Sequence, residues 1–218
     1  MQKRILGLLF AVLFLVMIGF SILFPVEPYY IQMFGATSAT MGWLTASYSL
    51  AQFVFSPLWG RLSDRIGRKP VMLVGLAGYG ASMTLFALGQ SIPHLFIART
   101  LAGVLSSATL PTAMAVIADT TTEDERAKGM GLLGAAFGLG AIFGPFVGGV
   151  LGDISIRLPF FTTGVLSLLT MTFVWRLLPE SLPPEKRGGE RERVSRLKAF
   201  QPDTTWLYAI AFLATFSL

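Results

Sequence analysis

The 218-residue chain contains no cysteine and a single histidine. The first absence excludes a disulfide framework and thiolate metal ligation. The second leaves no material for a multi-histidine metal centre and almost none for a Ser-His-Asp or Cys-His catalytic arrangement, so an enzyme is not expected. Charge is also scarce. Only 13% of the residues are charged, against about 25% in an ordinary soluble domain. Apolar residues reach 53% and the mean hydropathy is +0.65. The net charge of +5 would suggest a nucleic-acid surface in a soluble protein. Here the apolar residues come in long blocks, so a lipid bilayer is the expected partner and nucleic acid is not.

A helix needs about 20 mainly apolar residues to cross about 30 Å of hydrocarbon. Six blocks meet that need, over residues 5–24, 41–59, 70–89, 93–118, 129–152 and 158–175. The first is too long for the apolar part of a signal peptide and is followed by prolines, not by a small-residue cleavage site. It is read as an uncleaved span. The polar stretch 178–205 reads as a linker, in which Arg193–Phe200 suits either a short interfacial helix or a solvated strand of linker. A seventh apolar block begins at Trp206; its thirteen residues reach only ~20 Å at the helical rise. The expected organisation is therefore a six-helix transmembrane bundle over 1–177, a linker over 178–205, and the start of a truncated seventh span over 206–218.

Fifteen of the seventeen basic residues fall before the first span, between spans two and three, between spans four and five, or after span six. By the positive-inside rule these segments, including the amino terminus and the linker, are expected in the cytoplasm. Arg157 lies on the opposite side and Arg99 lies inside a span. Trp43, Trp59, Trp175 and Trp206 all stand near predicted span ends, as an aromatic belt would place them.

Four segments carry mechanism. The stretch Gly60-Arg-Leu-Ser-Asp64-Arg65-Ile-Gly67-Arg68-Lys69 is read as a cytoplasmic loop, with glycines for tight turns and an acid among bases for charge-assisted hydrogen bonds. By itself it could be a short loop filled with positive-inside charge. In the fifth span, Gly140, Gly144, Gly148 and Gly152 recur every four residues beside Pro145 and Gly149. That smooth stripe serves close helix packing, and Pro145 permits a bend. In the fourth span, Arg99 and Gly103 stand four apart in a helix otherwise free of charge until Asp119. A buried arginine needs a partner, a cavity, or a route to snorkel outward. At the outer end of the first span, Phe24-Pro25-Val26-Glu27-Pro28 offers an acid that either sits at the rim or faces a cavity, where proton and cationic substrate would compete for one carboxylate. Glu27 and Arg99 both lie toward the outer half and could pair across helices. In the second span Thr45, Ser49, Gln52 and Ser56 share a helical face, which lines either a neighbouring helix or a water-filled cavity. His94 reads as a residue of the membrane interface.

The spacing G-x-L-x-D-R-x-G-R-K resembles the signature between the second and third spans of the major facilitator superfamily. The segment Gly140-Ala-Ile-Phe-Gly144-Pro145-Phe-Val-Gly148-Gly149 resembles the antiporter motif of that superfamily's drug:proton exporters. Arg99 and Gly103 are similar to its fourth-span pattern, although Ala102 stands where many members have glutamine; Pro25 and Pro28 are similar to the ending of the first span. Glu27 has no counterpart in that pattern. The resemblance implies an all-α integral membrane protein, namely the N-terminal six-helix bundle of a twelve-helix transporter, plus the start of the seventh span. It further implies proton-coupled antiport, with proton transfer associated with Arg99, export of amphipathic drugs or other lipophilic small molecules, and a location in the inner or plasma membrane. Gln52 is placed with Arg99, Glu27 and Gly103 at the substrate cavity. Asp64, Arg68 and Asp119 would form a cytoplasmic gate, flanked by Gly60, Arg65, Gly67 and Lys69. No cofactor is implied beyond a proton gradient as energy source, and the partners are protons, the small-molecule cargo and the missing C-terminal six-helix half. Two alternatives remain open at this point: a sugar or metabolite exporter of the same superfamily, or a truncated fragment that does not transport. An internal repeat relating spans one to three with four to six is also implied, without obvious similarity between the residues.

Overall fold

The computed structural model describes residues 2–188, apart from the side chains of residues 2–5, 123–126 and 186. The chain divides into two units, Met1–Arg187 and Gly188–Leu218. The second lies, but for Gly188, outside the described residues, and with it the expected seventh span, the Arg193–Phe200 segment, Trp206 and most of the linker.

The first unit is a bundle of eight α-helices: α1 Gln2–Ser21, α2 Glu27–Gln32, α3 Ser38–Ile66, α4 Arg68–Ala87, α5 Ile92–Ser106, α6 Thr109–Thr120, α7 Glu123–Ile154 and α8 Leu158–Leu177. Backbone polar groups cannot be left unpaired in lipid, so helices are the expected solution for apolar blocks. Six spans result, because α5 and α6 follow one another along the fourth. Taken together as Ile92–Thr120 they are long and apolar enough to cross a membrane, as are α4, Ala127–Ile154 within α7, and α8. The described apolar part of α1, Leu6–Ser21, is shorter. At 29 residues α3 has the length, but Thr45, Ser49, Gln52 and Ser56 dilute its hydropathy. The protein is an all-α, multi-pass membrane protein.

Three expectations need correction. The Gly60–Lys69 segment is not a ten-residue loop: α3 runs through Ile66, α4 starts at Arg68, and Gly67 alone makes the turn, at φ +112°. Glycine is the residue that tolerates this conformation without steric cost. Next, the fourth span is not continuous. It breaks at Ser107–Ala108, four residues before Pro111, whose ring excludes the carbonyl at that spacing and whose nitrogen offers no donor. Ala108 instead donates to Leu105, 3.2 Å away, in a tighter turn. Finally, Trp59 is not only a belt residue: its indole N–H donates to the Val104 carbonyl at 2.6 Å, just ahead of that break.

Helix pairing follows small residues. α1 packs on α7, α3 on α5, and α4 on α8. Exchanging spans one to three for four to six turns the α1–α7 pair into the α5–α3 pair and leaves α4–α8 in place, which is the pairing that a three-plus-three repeat requires. Both exchanged pairs are glycine-mediated. A Cβ on Gly140 would stand 2.5 Å from that of Met17; one on Gly144 or Gly148 would strike Ser21 or Ile22; and one on Gly103 would strike the Tyr48 carbonyl. Two apolar clusters fill the bundle. One, around Tyr30, Met83, Phe86 and Phe160, lies toward the Glu27 end; the other, around Leu9, Leu13, Met72, Val116 and Val174, lies toward the opposite, basic end.

Candidate functional site: a buried ion pair above a cavity, and a charge cluster at the basic end

After α1 ends at Ser21, prolines 25 and 28 prevent a continuous helix, and the chain re-forms as the short α2 beginning at Glu27. Pro28 near its start is well tolerated there. This turn swings Glu27 inward, and Tyr30 anchors it by donating to the carbonyls of Phe86 and Ala87 at 3.1 and 3.0 Å. Arg99, about two turns into α5, is 5% exposed. Its Nη2 lies 2.9 Å from Glu27 Oε2. The cross-helix pair is thus formed, and neither snorkelling for Arg99 nor a rim position for Glu27 holds. The Tyr48 ring covers the guanidinium at 4.8 Å, a cation–π contact that is strengthened by desolvation.

Tyr48 extends the polar system inward. Its hydroxyl shares a hydrogen bond with Ser106 at 3.2 Å and accepts one from Gln52 Nε2 at 3.1 Å. Gln52 stands at a junction, since it lines three neighbouring cavities. One, of about 340 Å³, includes Glu27, Arg99, Thr45 and Ser49 with aromatic walls from Phe20 and Phe24. A second, of about 420 Å³, is lined by Ser49, Ser56, Ser106, Ser107 and Pro111, at the break in the fourth span. The third, of about 220 Å³, is mostly apolar and reaches Leu13, Tyr79 and Phe137. The polar face of α3 therefore faces cavities. Interrupted helices at membrane depth are tolerated where they line such space, and a large site with soft apolar walls and few polar groups suits a small molecule. Gly103 lines none of these three cavities; it brings α5 against Tyr48 and Ala51. His94 shares a hydrogen bond with Ser91 at 3.3 Å on the surface, and no cluster of His, Asp and Glu able to hold a metal occurs among the described residues.

The second polar centre lies at the Gly67 turn. Arg68 is 2% exposed, and its side chain bridges two helices: Nη1 to Asp64 Oδ1 at 2.7 Å, Nε to Asp119 Oδ2 at 2.9 Å, and Nη1 to the Ser63 hydroxyl at 2.8 Å. Burial of so large a cation is tolerated because its donors are met by charged acceptors. The expected trio is therefore assembled. Arg65 is exposed, Lys69 contributes its backbone N–H, and Gly60 is an interior residue of α3 with open space around it.

Glu180, to which no sequence motif points, completes the cluster. Its carboxylate accepts from the backbone N–H of Arg68 at 2.9 Å and of Lys69 at 3.2 Å, so it caps the exposed N-terminus of α4. Arg187 lies 3.9 Å from the same carboxylate, and Ser181 donates to Asp119 at 3.4 Å. The segment that follows α8 is thereby strapped across the turn. A glutamate in a polar stretch carries no pattern of its own, and only its position after the Leu177-Leu178-Pro179 helix stop marks it.

The sequence model of the Major Facilitator Superfamily matches residues 9–218, and the chain belongs to that superfamily of membrane transporters. It is 33% identical over 218 residues to Multidrug resistance protein 2 of Bacillus subtilis, covering 99% of this chain and 54% of that protein. It is also 33% identical over 169 residues to the Quinolone resistance protein NorA of Staphylococcus aureus, covering 78% and 43%. Among solved structures, the human organic anion transporter MFSD10 superposes with a TM-score of 0.75 at 26% identity, over 85% of this chain and 50% of that one. A bacterial homologue of the human lysosomal transporter Spinster, inward-facing and unoccupied, reaches 0.76 at 18% identity over 96% and 49%, a likeness of fold. The chain spans about half the length of the curated relatives it matches.

Proposed function

We propose that this bundle is half of a proton-driven exporter of amphipathic small molecules, working by alternating access with a second six-helix bundle. The observation that carries the reading is the Glu27–Arg99 pair: a carboxylate and a guanidinium, both buried, forming one wall of a cavity whose other walls are aromatic and aliphatic. Intramembrane ion pairs are costly and mark ion or substrate routes. A proton arriving at Glu27 cancels the pair, and a cationic group on the cargo competes for the same oxygen, so one carboxylate links the two flows. The 33% identity to multidrug resistance proteins favours drugs as cargo over sugars. Arg68, Asp64 and Asp119 then form the gate at the basic end, which the distribution of basic residues assigns to the cytoplasm, and the Gly140–Gly149 motif lets α7 slide on α1 during the rocking motion.

The test is efflux from cells expressing the full reading frame, using amphipathic dyes such as ethidium and Nile red. Efflux is expected to collapse on addition of a protonophore and in an Arg99→Ala variant that still inserts into the membrane. If no dye is moved while a sugar is, the drug reading fails; normal proton-driven efflux by Arg99→Ala removes that residue from coupling.

A further inference from the structure

The two partners of the buried ion pair meet through one hydrogen bond, Arg99 Nη2 to Glu27 Oε2 at 2.9 Å, and they stand on elements of very different firmness. Arg99 belongs to α5, a helix of 15 residues. Glu27 opens α2, which has six, too few for a helix to persist by its own hydrogen bonds. Pro25 interrupts the chain before α2, and Gly35 turns it afterwards at φ +76°. The place of Glu27 is therefore decided by what α2 packs against.

Tyr30 supplies that contact. It stands three residues after Glu27, on the same face of the helix, and is wholly buried. Its hydroxyl donates to the carbonyls of Phe86 and Ala87; Ala87 ends α4, so its carbonyl has no intrahelical donor. The Tyr30 ring packs against Phe86 at 5.7 Å and Phe160 at 4.8 Å, and those two rings lie 5.1 Å apart. α2, α4 and α8 thus meet in one aromatic triangle. Phe86 also lies under Arg99, whose guanidinium carbon is 6.0 Å from the ring centre. Both partners of the ion pair are registered on this one residue, Glu27 through Tyr30 and Arg99 directly.

We propose that Tyr30 is a positioning residue for the coupling carboxylate: its hydroxyl bonds to the end of α4 fix the approach of Glu27 to Arg99 and so set the pH at which efflux is half-maximal. The proposal rests on the reading of Glu27 as the group that takes the proton. Among the described residues, the titratable groups within electrostatic reach of Glu27 are Arg99 on α5 and the phenols of Tyr48 on α3 and Tyr79 on α4. Arg157 reaches Tyr30, and Asp153 shares an outer groove with Val26 and Tyr29. Phenols are uncharged near neutral pH, so Arg99 is the one full charge acting on Glu27. Its attraction for the carboxylate falls with separation, and a pair joined by one hydrogen bond has no second contact to resist a shift of α2. Without the Tyr30 bonds α2 moves, the attraction weakens, and Glu27 keeps its proton to a higher pH.

The experiment follows ethidium transport by the full reading frame in everted membrane vesicles, with the pH difference held constant and the absolute pH varied. Tyr30→Phe keeps the ring and deletes only the hydroxyl. Its pH midpoint is expected to rise by about half a unit or more, about threefold in proton affinity, at a normal level of protein in the membrane. Phe160→Leu thins the same triangle without touching the hydroxyl bonds and should keep the parent midpoint. A parent midpoint in Tyr30→Phe overturns the proposal, whatever happens to its thermal stability. If Tyr30→Phe fails to reach the membrane, Phe86→Leu takes its place: removing the ring that both partners share should raise the midpoint in the same direction, and an unchanged midpoint there overturns the proposal equally. Glu27→Gln separates the two readings. Loss of proton-driven transport in Glu27→Gln beside an unmoved Tyr30→Phe sinks the positioning role and leaves Glu27 as the proton site. A parent pH profile in Glu27→Gln overturns both, because any shift in Tyr30→Phe would then act through another group.

Discussion

The carboxylate of Glu180 lies where a Cβ on Gly67 would stand. The turn residue of the α3–α4 hairpin and the cap of α4 thus exclude one another's enlargement, and a segment from beyond α8 reaches the turn only because the turn is bare. Gly67→Ala adds a methyl group against that carboxylate and holds alanine at φ +112°, a combination expected to cost about 1–3 kcal/mol. Glu180→Gln keeps one acceptor oxygen but loses the charge that complements the helix dipole, and about 1 kcal/mol is expected from that change. Thermal unfolding in detergent checks both; an unaltered midpoint for Gly67→Ala would show that the strap is not seated on the turn.

The two acids on Arg68 are unequal. Asp119 has a side chain 17% exposed and that of Asp64 is 38% exposed, so the solvent screens the second pair much more. Asp119→Asn is expected to destabilise the bundle by about 2–3 kcal/mol, since it strips a partner from a buried cation. Asp64→Asn is expected to cost less than about 1 kcal/mol. Denaturation of each variant in the same detergent gives the ranking, and a larger loss for Asp64→Asn would reverse the assignment of the stronger partner.

The five positions of the Gly140–Gly149 motif are predicted to separate sharply. Gly144 has the last residue of α1, Ser21, against it and Gly148 the backbone of Ile22 just past it, whereas nothing lies within 4 Å of a Cβ added at Gly149. Gly144→Ala and Gly148→Ala should push α7 off α1 at about 1–3 kcal/mol each, with loss of efflux. Gly149→Ala should remain within about 0.5 kcal/mol of the parent. If Gly149→Ala abolished efflux at unchanged stability, that residue would owe its place in the motif to a surface outside this bundle.

What can be read from the residues follows the range of the interaction. Hydropathy locates the six spans and the stripe at Gly140, Gly144 and Gly148, because each depends on near neighbours in sequence. Helix ends are harder. Hydropathy marks where lipid stops, and α3 continues well past that point to Ile66, so a motif made of helix ends looks like a loop. Pro111 is a visible signal for the break in span four, outweighed by the apolar run around it. Tyr48 and Tyr79 belong to no motif in the sequence, and only the packing of α3, α4 and α5 sets Tyr48 between Gln52 and Ser106 and Tyr79 on a cavity. Pairing of Glu27 with Arg99 is open to geometry, but the turn that delivers Glu27 depends on Tyr30 finding two carbonyls at the end of α4.

The break in the fourth span supplies the last prediction. Pro111 forces it, yet the bundle has groups in place to meet the displaced backbone: Trp59 donates to Val104, Ser107 donates to the same carbonyl at 2.7 Å, and Thr112 donates to Ala108 at 2.6 Å. Pro111→Ala restores the donor and removes the clash, so the helical strain at this point should be relieved by up to about 3 kcal/mol. Straightening also moves Ser106 and Ser107, which line the 420 Å³ cavity, and loosens the Ser106–Tyr48 hydrogen bond beside Arg99. The expected outcome is a higher unfolding midpoint with weaker efflux. Trp59→Phe should act in the opposite sense on stability, losing about 1 kcal/mol with the indole hydrogen bond. In the double variant the loss at Trp59 should shrink, since a continuous helix meets the Val104 carbonyl internally, and a double-mutant cycle with no coupling would show that the indole bond is independent of the break.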